Sequence, residues 1–360
     1  MTDRYSFNLV LLGFGAVAQA FIKLLMERSS SLEFDWRVVG VATRRHHCVL
    51  DKEGIDAATL AHLGATRQLL DTCHDYTFGR QPADAFELLK QLSELYPYRS
   101  KTNRVVIVEN TPFSLDKGQP SVDHVRTALA MNADVITANK GPAAFAYREI
   151  SELAASQDSM FKFEGSVLDG LPVFSLIQDT LPSIRVERIR GIVNTTTNYL
   201  LTAMEQGDTL SQAVADMQKA GITESDPEKD IEGWDAAAKV SILANVFFDA
   251  NMNPHDVNRK GLRTVDKTEI RRAHQNGQAV KLIAEVKRHH NRAVATVAPR
   301  LLKASDPLTR LSGTAKGLVI DTDALGSLMI SKTTSGVTHT AYALMTDLLS
   351  IYRLRTLNVT

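Results

Sequence analysis

Phe7-Asn8-Leu9-Val10-Leu11-Leu12-Gly13-Phe14-Gly15-Ala16-Val17-Ala18 is the stretch on which the fold turns. A short, nearly continuous apolar run ended by a glycine predicts a strand buried on both faces of a parallel sheet. Beyond it, Val17, Ala20, Phe21, Leu24 and Leu25 recur at helical spacing. The join, Gly13-x-Gly15-x-x-Ala18, is a GxGxxA sequence at a strand-to-helix turn. The first glycine there permits a tight turn, the second lets a pyrophosphate approach the backbone, and the alanine lets helix and strand pack closely. The helix N-terminus adds N–H groups and positive dipole for the phosphates. Gly13, Gly15, Ala16 and Val17 are therefore candidate dinucleotide contacts.

Moving outward, Trp36 to Ala42 is a second apolar strand, which completes a βαβ unit. Asp56 to Thr102 holds polar helical stretches, including Ala83 to Leu95. A strand at Val105–Val108, a helix near Asp123–Met131 and a strand at Asp134–Thr137 continue the alternation. This pattern predicts a Rossmann-type doubly wound parallel sheet over residues 1–150. After Glu149 the texture changes. Strands are expected at Phe161–Glu164, Val186–Val193, Ala293–Ala298 and Leu318–Asp321. Helices are expected at Thr197–Met204, Leu210–Ala220 and Asp235–Phe248. They predict a second, α+β domain over residues 151–335. The final helical stretch, within 336–360, is expected to pack back on the first domain. A length of 360 residues suits two domains.

Lys and Arg number 41, as do Asp and Glu, so the net charge is zero; 44% of residues are hydrophobic. That balance excludes a disordered chain and a collagen-like fibre, and argues against a nucleic-acid binder. The two cysteines, Cys48 and Cys73, stand in no metal-ligand spacing and suit a reducing compartment. No apolar run approaches the ~20 residues of a membrane span. The apolar start breaks into the glycine turn too early for a signal peptide, so a cytoplasmic location is expected. Neutral total charge still leaves room for a local basic pocket. Thr43-Arg44-Arg45 stands at the end of the second strand, where an acidic residue would bind the ribose diol of NAD. Guanidiniums at Arg44 and Arg45 suit a 2′-phosphate instead, which favours NADP over NAD.

Four further segments carry a pattern: Thr137-Ala138-Asn139-Lys140-Gly141-Pro142; Glu164-Gly165-Ser166-Val167-Leu168-Asp169-Gly170-Leu171-Pro172; Gly191-Ile192-Val193-Asn194-Thr195-Thr196-Thr197-Asn198-Tyr199-Leu200; and the run from Ala220 to Lys239, including Thr223-Glu224-Ser225-Asp226-Pro227. With the first glycine turn they resemble homoserine dehydrogenase, in the same order and at similar spacing, over nearly the whole chain. Thr223 to Lys239 is the most specific part. Asp235 and Lys239 lie four residues apart, on one face of a helix, with the acid N-terminal to the base. Alone, that is an ordinary surface salt bridge. Lys140 follows a strand end, where open α/β sheets place ligands.

The resemblance implies NAD(P)-dependent interconversion of L-aspartate 4-semialdehyde and L-homoserine, a step of threonine and methionine biosynthesis. It makes Lys140, Lys239 and Asp235 catalytic. Two lysines in one site depress each other's pKa, which suits acid–base work near neutral pH. Glu224 would bind the substrate ammonium, and Asp230, Thr196 and Gly191 would share the substrate pocket. Thr111, in Val108-Glu109-Asn110-Thr111, together with Asn139 and Gly336, would contact the cofactor; the family usually has Asp where Glu109 stands. Glu164, Val167 and Gly170 match positions that hold a monovalent cation in the family. A homodimer built through the second domain is implied, with neither an ACT-type regulatory module nor an aspartate-kinase segment.

Departures from the family pattern fall at Leu168 and Asp169, where Gly or Ala before Gly is usual and where they weigh against the cation site. They fall also at Thr195, which replaces a Gly, so that the local turn is expected to differ, and at Lys332–Ser335 in a loop otherwise Gly-rich. They point to a modified pocket, and a related oxidoreductase acting on another small hydroxy or carbonyl compound is the alternative reading. A cofactor-binding sensor without turnover is a further one, against which Lys140, Asp235 and Lys239 speak.

Overall fold

The computed structural model describes residues 4–44, 48–66, 82–96, 100–219, 227–290 and 292–357. Two compact units divide the chain: Met1–Gly170 with Gly336–Thr360, and Leu171–Ser335.

The first unit runs β1 (Ser6–Leu12), α1 (Ala16–Arg28), β2 (Asp35–Ala42), β3 (Cys48–Ile55), α2 (Ala57–Thr66), α3 (Ala85–Leu95), β4 (Asn103–Glu109), α4 (Ser121–Ala130), β5 (Asp134–Thr137), α5 (Gly141–Phe145), α6 (Tyr147–Ser156), β6 (Phe161–Lys162) and α7 (Gly165–Leu168). Its sheet has the order β3-β2-β1-β4-β5-β6 and is parallel except for β3, which pairs antiparallel to β2. The unit is a Rossmann-like sheet. Its apolar strands are read twice, as their period of two requires. Phe7, Leu9 and Leu11 face α1 and the C-terminal helix Val337–Leu357, through Phe21, Leu25, Leu344 and Leu348. Val10 and Leu12 face α3 and α4, through Leu88, Leu92, Val125 and Leu129. This explains why β1 is apolar at nearly every position.

β3 is absent from the sequence expectation. It is an edge strand whose second half, Asp51-Lys52-Glu53-Gly54, exposes Lys52 and Glu53 and so lacks the apolar run of a buried strand. The first compact unit also extends beyond residue 150, because Phe161 and Lys162 pair with β5 as a sixth strand. That strand is shorter than the expected Phe161–Glu164, since Glu164 already N-caps α7. Asp134 anchors the sheet to the C-terminal helix. Fully buried, its carboxylate accepts from Arg104 Nε at 3.2 Å and Nη2 at 3.1 Å, from Arg355 Nη2 at 2.7 Å and from the Met160 N–H at 2.8 Å.

The second unit runs α8 (Phe174–Thr180), β7 (Val186–Ile192), α9 (Thr195–Gln206), α10 (Leu210–Lys219), α11 (Glu228–Ile231), α12 (Trp234–Phe248), β8 (Asn258–Arg259), α13 (Lys267–Gln275), β9 (Ala279–His289), β10 (Arg292–Leu302), β11 (Lys316–Thr322) and β12 (Gly326–Lys332). Its six strands have the order β12-β11-β7-β9-β10-β8. It is a separate α+β domain. α12 packs across β9 and β10, and its consecutive residues Ala236, Ala237 and Ala238 are all buried, so the helix is covered nearly all round there. β9 and β12 escaped the sequence reading. Lys281, Glu285 and Lys287 interrupt the first, and the second is a half-exposed edge. Thr195 begins α9 in ordinary helical backbone, so the turn expected to differ there is simply the first turn of a helix capped by Asn194.

Asp169 is the opposite case. Its φ of 54° and ψ of −115° lie where glycine is at ease and other residues are strained. Asp169→Gly is expected to raise stability by about 1 kcal/mol, net of the greater chain entropy of glycine. Calorimetry checks this; an unchanged or lower melting temperature would mean that the Asp169 side chain outweighs the strain.

Candidate active site

In the first unit the site is built at the end of β1. The sheet order reverses there, with β2 on one side of β1 and β4 on the other, and such switch points open a crevice at the strand ends. Gly13, at φ +90°, donates its N–H to Ala42 O at 2.8 Å, and a Cβ on it would lie 2.7 Å from Asn110 O. Only glycine fits this position. Gly15 is a glycine for another reason. It N-caps α1 with no side-chain cap, and a Cβ on it would meet nothing within 4 Å. Nothing among the described residues demands its small size, so the space before the helix N-terminus is open to a phosphate. Ala16 is exposed, Val17 packs against the core and Ala18 is fully buried beneath the turn. A dinucleotide pyrophosphate fits this cradle.

Arg44 is exposed in the bend after β2. Arg45, its neighbour in the same reading, lies outside the described residues, as does Glu224. Thr111 follows β4 and Asn139 follows β5, and the structure joins them: Asn139 Nδ2 donates to Thr111 O at 2.8 Å. Lys140 is half-buried at the N-cap of α5, its Nζ 4.8 Å from the centre of the Phe113 ring. Gly336 is exposed just before the C-terminal helix. Glu164, Val167 and Gly170 lie along and just after α7. Glu164 is buried, and its N–H donates to Asp347 at 3.0 Å. Among the described residues no group of three or more His, Cys, Asp or Glu could hold a metal ion, so a cation at α7 would rest on backbone carbonyls.

In the second unit α9, α11 and α12 bring five polar side chains together. Lys239, almost fully buried, places Nζ 2.8 Å from Asp235 Oδ2 and donates to Val193 O, also at 2.8 Å. The i,i+4 pair is thus not a solvated surface bridge. Asn194 Nδ2 donates to Asp230 Oδ1 and to Asp235 Oδ2, each at 2.8 Å, while its Oδ1 accepts the Thr197 N–H. Thr196 hydrogen-bonds Asp230 through its side chain. Gly191 stands apart from this cluster. It pairs within the sheet between Leu318 and Ala284, where a side chain would collide with the Gly317 carbonyl.

Asn194, Phe113 and the Val193 carbonyl were given no role by the sequence. The one signal for Asn194 was its type, since Asn immediately before a helical run is a favoured cap. Burial and the Asp235 charge push the Asp230 carboxyl up from the usual range, against opposing pulls from Thr196, Lys239 and Asn194. A carboxyl raised by folding is penalised while it is ionised, and the penalty lifts as pH falls through its folded pKa. Asp230→Asn is therefore expected to melt above wild type at neutral pH, with the gap closing on acidification, and to lose activity. Melting curves across pH check the sign.

The comparisons with known proteins agree with these two halves. A family model described as the NAD-binding domain of homoserine dehydrogenase matches residues 13–164, and one described as homoserine dehydrogenase matches residues 172–349. The NAD(+)-dependent homoserine dehydrogenase of Pseudomonas canavaninivorans is 32% identical over 352 residues, covering 96% of each chain. The chain belongs to the homoserine dehydrogenase family. As such it is an NAD(P)-dependent oxidoreductase of that family. Among solved structures, the homoserine dehydrogenase of Thermoplasma acidophilum matches with a TM-score of 0.79 and 26% identity, over 97% of this chain and 99% of that one. A hyperthermophilic archaeal homoserine dehydrogenase in complex with NADPH matches with a TM-score of 0.79 and 26% identity, over 96% of this chain and 97% of that one.

Proposed function

We propose that the protein interconverts L-homoserine and L-aspartate 4-semialdehyde, using NADP in preference to NAD. The observation that carries this reading is the buried Lys239, held between Asp235 and the Val193 carbonyl with Asp230 alongside. Gly13, Gly15 and the N-terminus of α1 would hold the pyrophosphate, with Arg44 and Arg45 toward a 2′-phosphate. When bound, the dinucleotide supplies the hydride acceptor or donor. The chain's own residues handle the proton and the substrate. In the reductive direction Lys239 or Lys140 donates a proton to the developing alkoxide. Asp235 fixes the direction of the Lys239 ammonium and orients the substrate hydroxyl. Glu224 takes the substrate ammonium, and Asp230 with Thr196 lines the pocket.

NADPH in the archaeal relative supports the 2′-phosphate reading, whereas the Pseudomonas relative, described as NAD(+)-dependent, favours NAD as the second reading. Homoserine oxidation measured with each dinucleotide tests both. The expected result is turnover with a higher kcat/KM for NADP+. Folded protein that binds NADPH yet turns homoserine over with neither dinucleotide points to another small hydroxy compound, to be sought in a substrate panel. The same reading carries a homodimer, checked by light scattering. It also carries a monovalent cation at Glu164, Val167 and Gly170, checked by replacing potassium and sodium with a bulky organic cation.

A further inference from the structure

β4 ends on a carboxylate that none of these roles uses. Glu109 is fully buried, as is Thr137 at the end of β5, and His124 on α4 is nearly so. The parallel register of β4 and β5 sets Glu109 beside Thr137. Glu109 Oε1 accepts the Thr111 N–H at 3.2 Å and the Thr111 hydroxyl, and faces His124 Nδ1 at 3.5 Å. Oε2 lies 3.3 Å from the Thr137 hydroxyl. A carboxylate removed from water costs several kcal/mol unless donors surround it. Here Thr111 and His124 come from separate segments, so the carboxylate fixes the two against each other, with the Thr137 hydroxyl alongside.

What those partners hold leads to Lys140. The Thr137 hydroxyl donates to Glu109 O at 2.6 Å and accepts the Asn139 N–H at 2.9 Å. Asn139 donates to Thr111 O at 2.8 Å, and its side-chain oxygen accepts the Gly141 N–H, also at 2.8 Å. Lys140 is thus clamped on both sides, by Asn139 before it and Gly141 after it. The clamp leads back to Glu109 by two routes, through Thr111 to its carboxylate and through Thr137 to its backbone carbonyl.

We propose that Glu109 and His124 form a positioning pair that holds Thr111 and Asn139 toward the dinucleotide and sets the direction of Lys140. The proposal rests on the reading of Thr111, Asn139 and Lys140 given above. Neither member of the pair touches a reacting atom; both act through the threonines and Asn139. Glu109→Gln keeps the side-chain shape but removes the charge and turns one acceptor into a donor, and His124→Gln removes the partner.

The test measures kcat, KM for homoserine, NADPH affinity by fluorescence titration and melting temperature on the full chain. Misplacement of a reacting group by an ångström or so costs on the order of 10²-fold, so kcat of Glu109→Gln is expected to fall roughly 10–100-fold. NADPH binding weakens with it, while KM for homoserine stays near wild type. His124→Gln moves the same quantities in the same direction. Because the two act as a unit, the double variant is expected to be no worse than Glu109→Gln alone. Should Glu109→Gln melt below the assay temperature, His124→Gln carries the same readout. Folded variants with wild-type kcat and NADPH affinity, or additive losses in the double variant, overturn the pair. Wild-type protein that fails to bind NADPH or NADH overturns the reading beneath it, and the pair with it.

Discussion

Lys239→Ala is expected to lower kcat for homoserine oxidation by roughly 10²–10⁴-fold, the range over which a positioned acid–base group acts. Removing the ammonium also takes from the largely buried Asp235 carboxylate its cationic partner, leaving it the Asn194 amide, so part of the loss comes from stability. Lys239→Arg separates the two effects. Arginine keeps the charge and can keep the ion pair, but it does not release a proton in the working pH range. Lys239→Arg is therefore expected to melt near wild type and yet to be almost as inactive as the alanine variant. NADPH binding, which the proposed function assigns to the first unit's glycine turn, is expected to persist in both. An arginine variant within tenfold of wild type would show that Lys239 works by charge alone and hands no proton over.

The largest stability effect is expected at Asp134, at the end of β5 opposite the one that leads to Lys140. Its carboxylate is fully buried, with both Arg104 and Arg355 hydrogen-bonded to it and the Met160 N–H as well. Breaking a buried ion pair from one side costs about 3–5 kcal/mol, because the remaining charge has lost its partner. Asp134→Ala leaves the Arg104 guanidinium in that position, while Arg355 keeps Asp158 at 3.2 Å. A fall in melting temperature on the order of 10 °C follows from that cost. Arg355→Met, which removes only the arm from the C-terminal helix, is expected to cost less. Calorimetry on both variants checks the order, and kcat of the protein that remains folded should be close to wild type. An alanine variant as stable as wild type would mean that the arginines find water or another acceptor on substitution.

How legible these features are in the sequence follows from how local their causes are. The GxGxxA turn is readable because its glycines answer to backbone angle and open space at single positions, Gly13 and Gly15. β1 is readable because burial on both faces leaves no room for a polar pattern. β3 is not, because an edge strand paired on one side tolerates Lys52 and Glu53. Asp235 and Lys239 share a helix face by spacing alone. That the face is buried, against Val193 and Asn194, follows only once β7 and α9 are laid against α12. Glu109 and His124 were invisible for the same reason, since the register of β4 against β5 and the packing of α4 bring them together. Gly191, given to the pocket by resemblance, has a second reason to be glycine in the sheet, because close strand approach asks for glycine as firmly as ligand approach does.

The nucleotide-binding unit is also discontinuous: its sheet comes from the first part of the chain, and one of the helices on its Phe7, Leu9 and Leu11 face comes from the last. During synthesis, therefore, that face lacks Ala341, Leu344, Leu348 and Ile351 until the C-terminal helix has been made. Arg104 and Asp134 likewise wait for Arg355. The intervening unit, contiguous in sequence, has all its strands before then. Chains usually fold domain by domain from the N-terminus, but here the second unit to be made is the first that can be finished. A nascent chain halted before residue 336 would carry an exposed apolar sheet face, and chaperones that hold such faces would find it there.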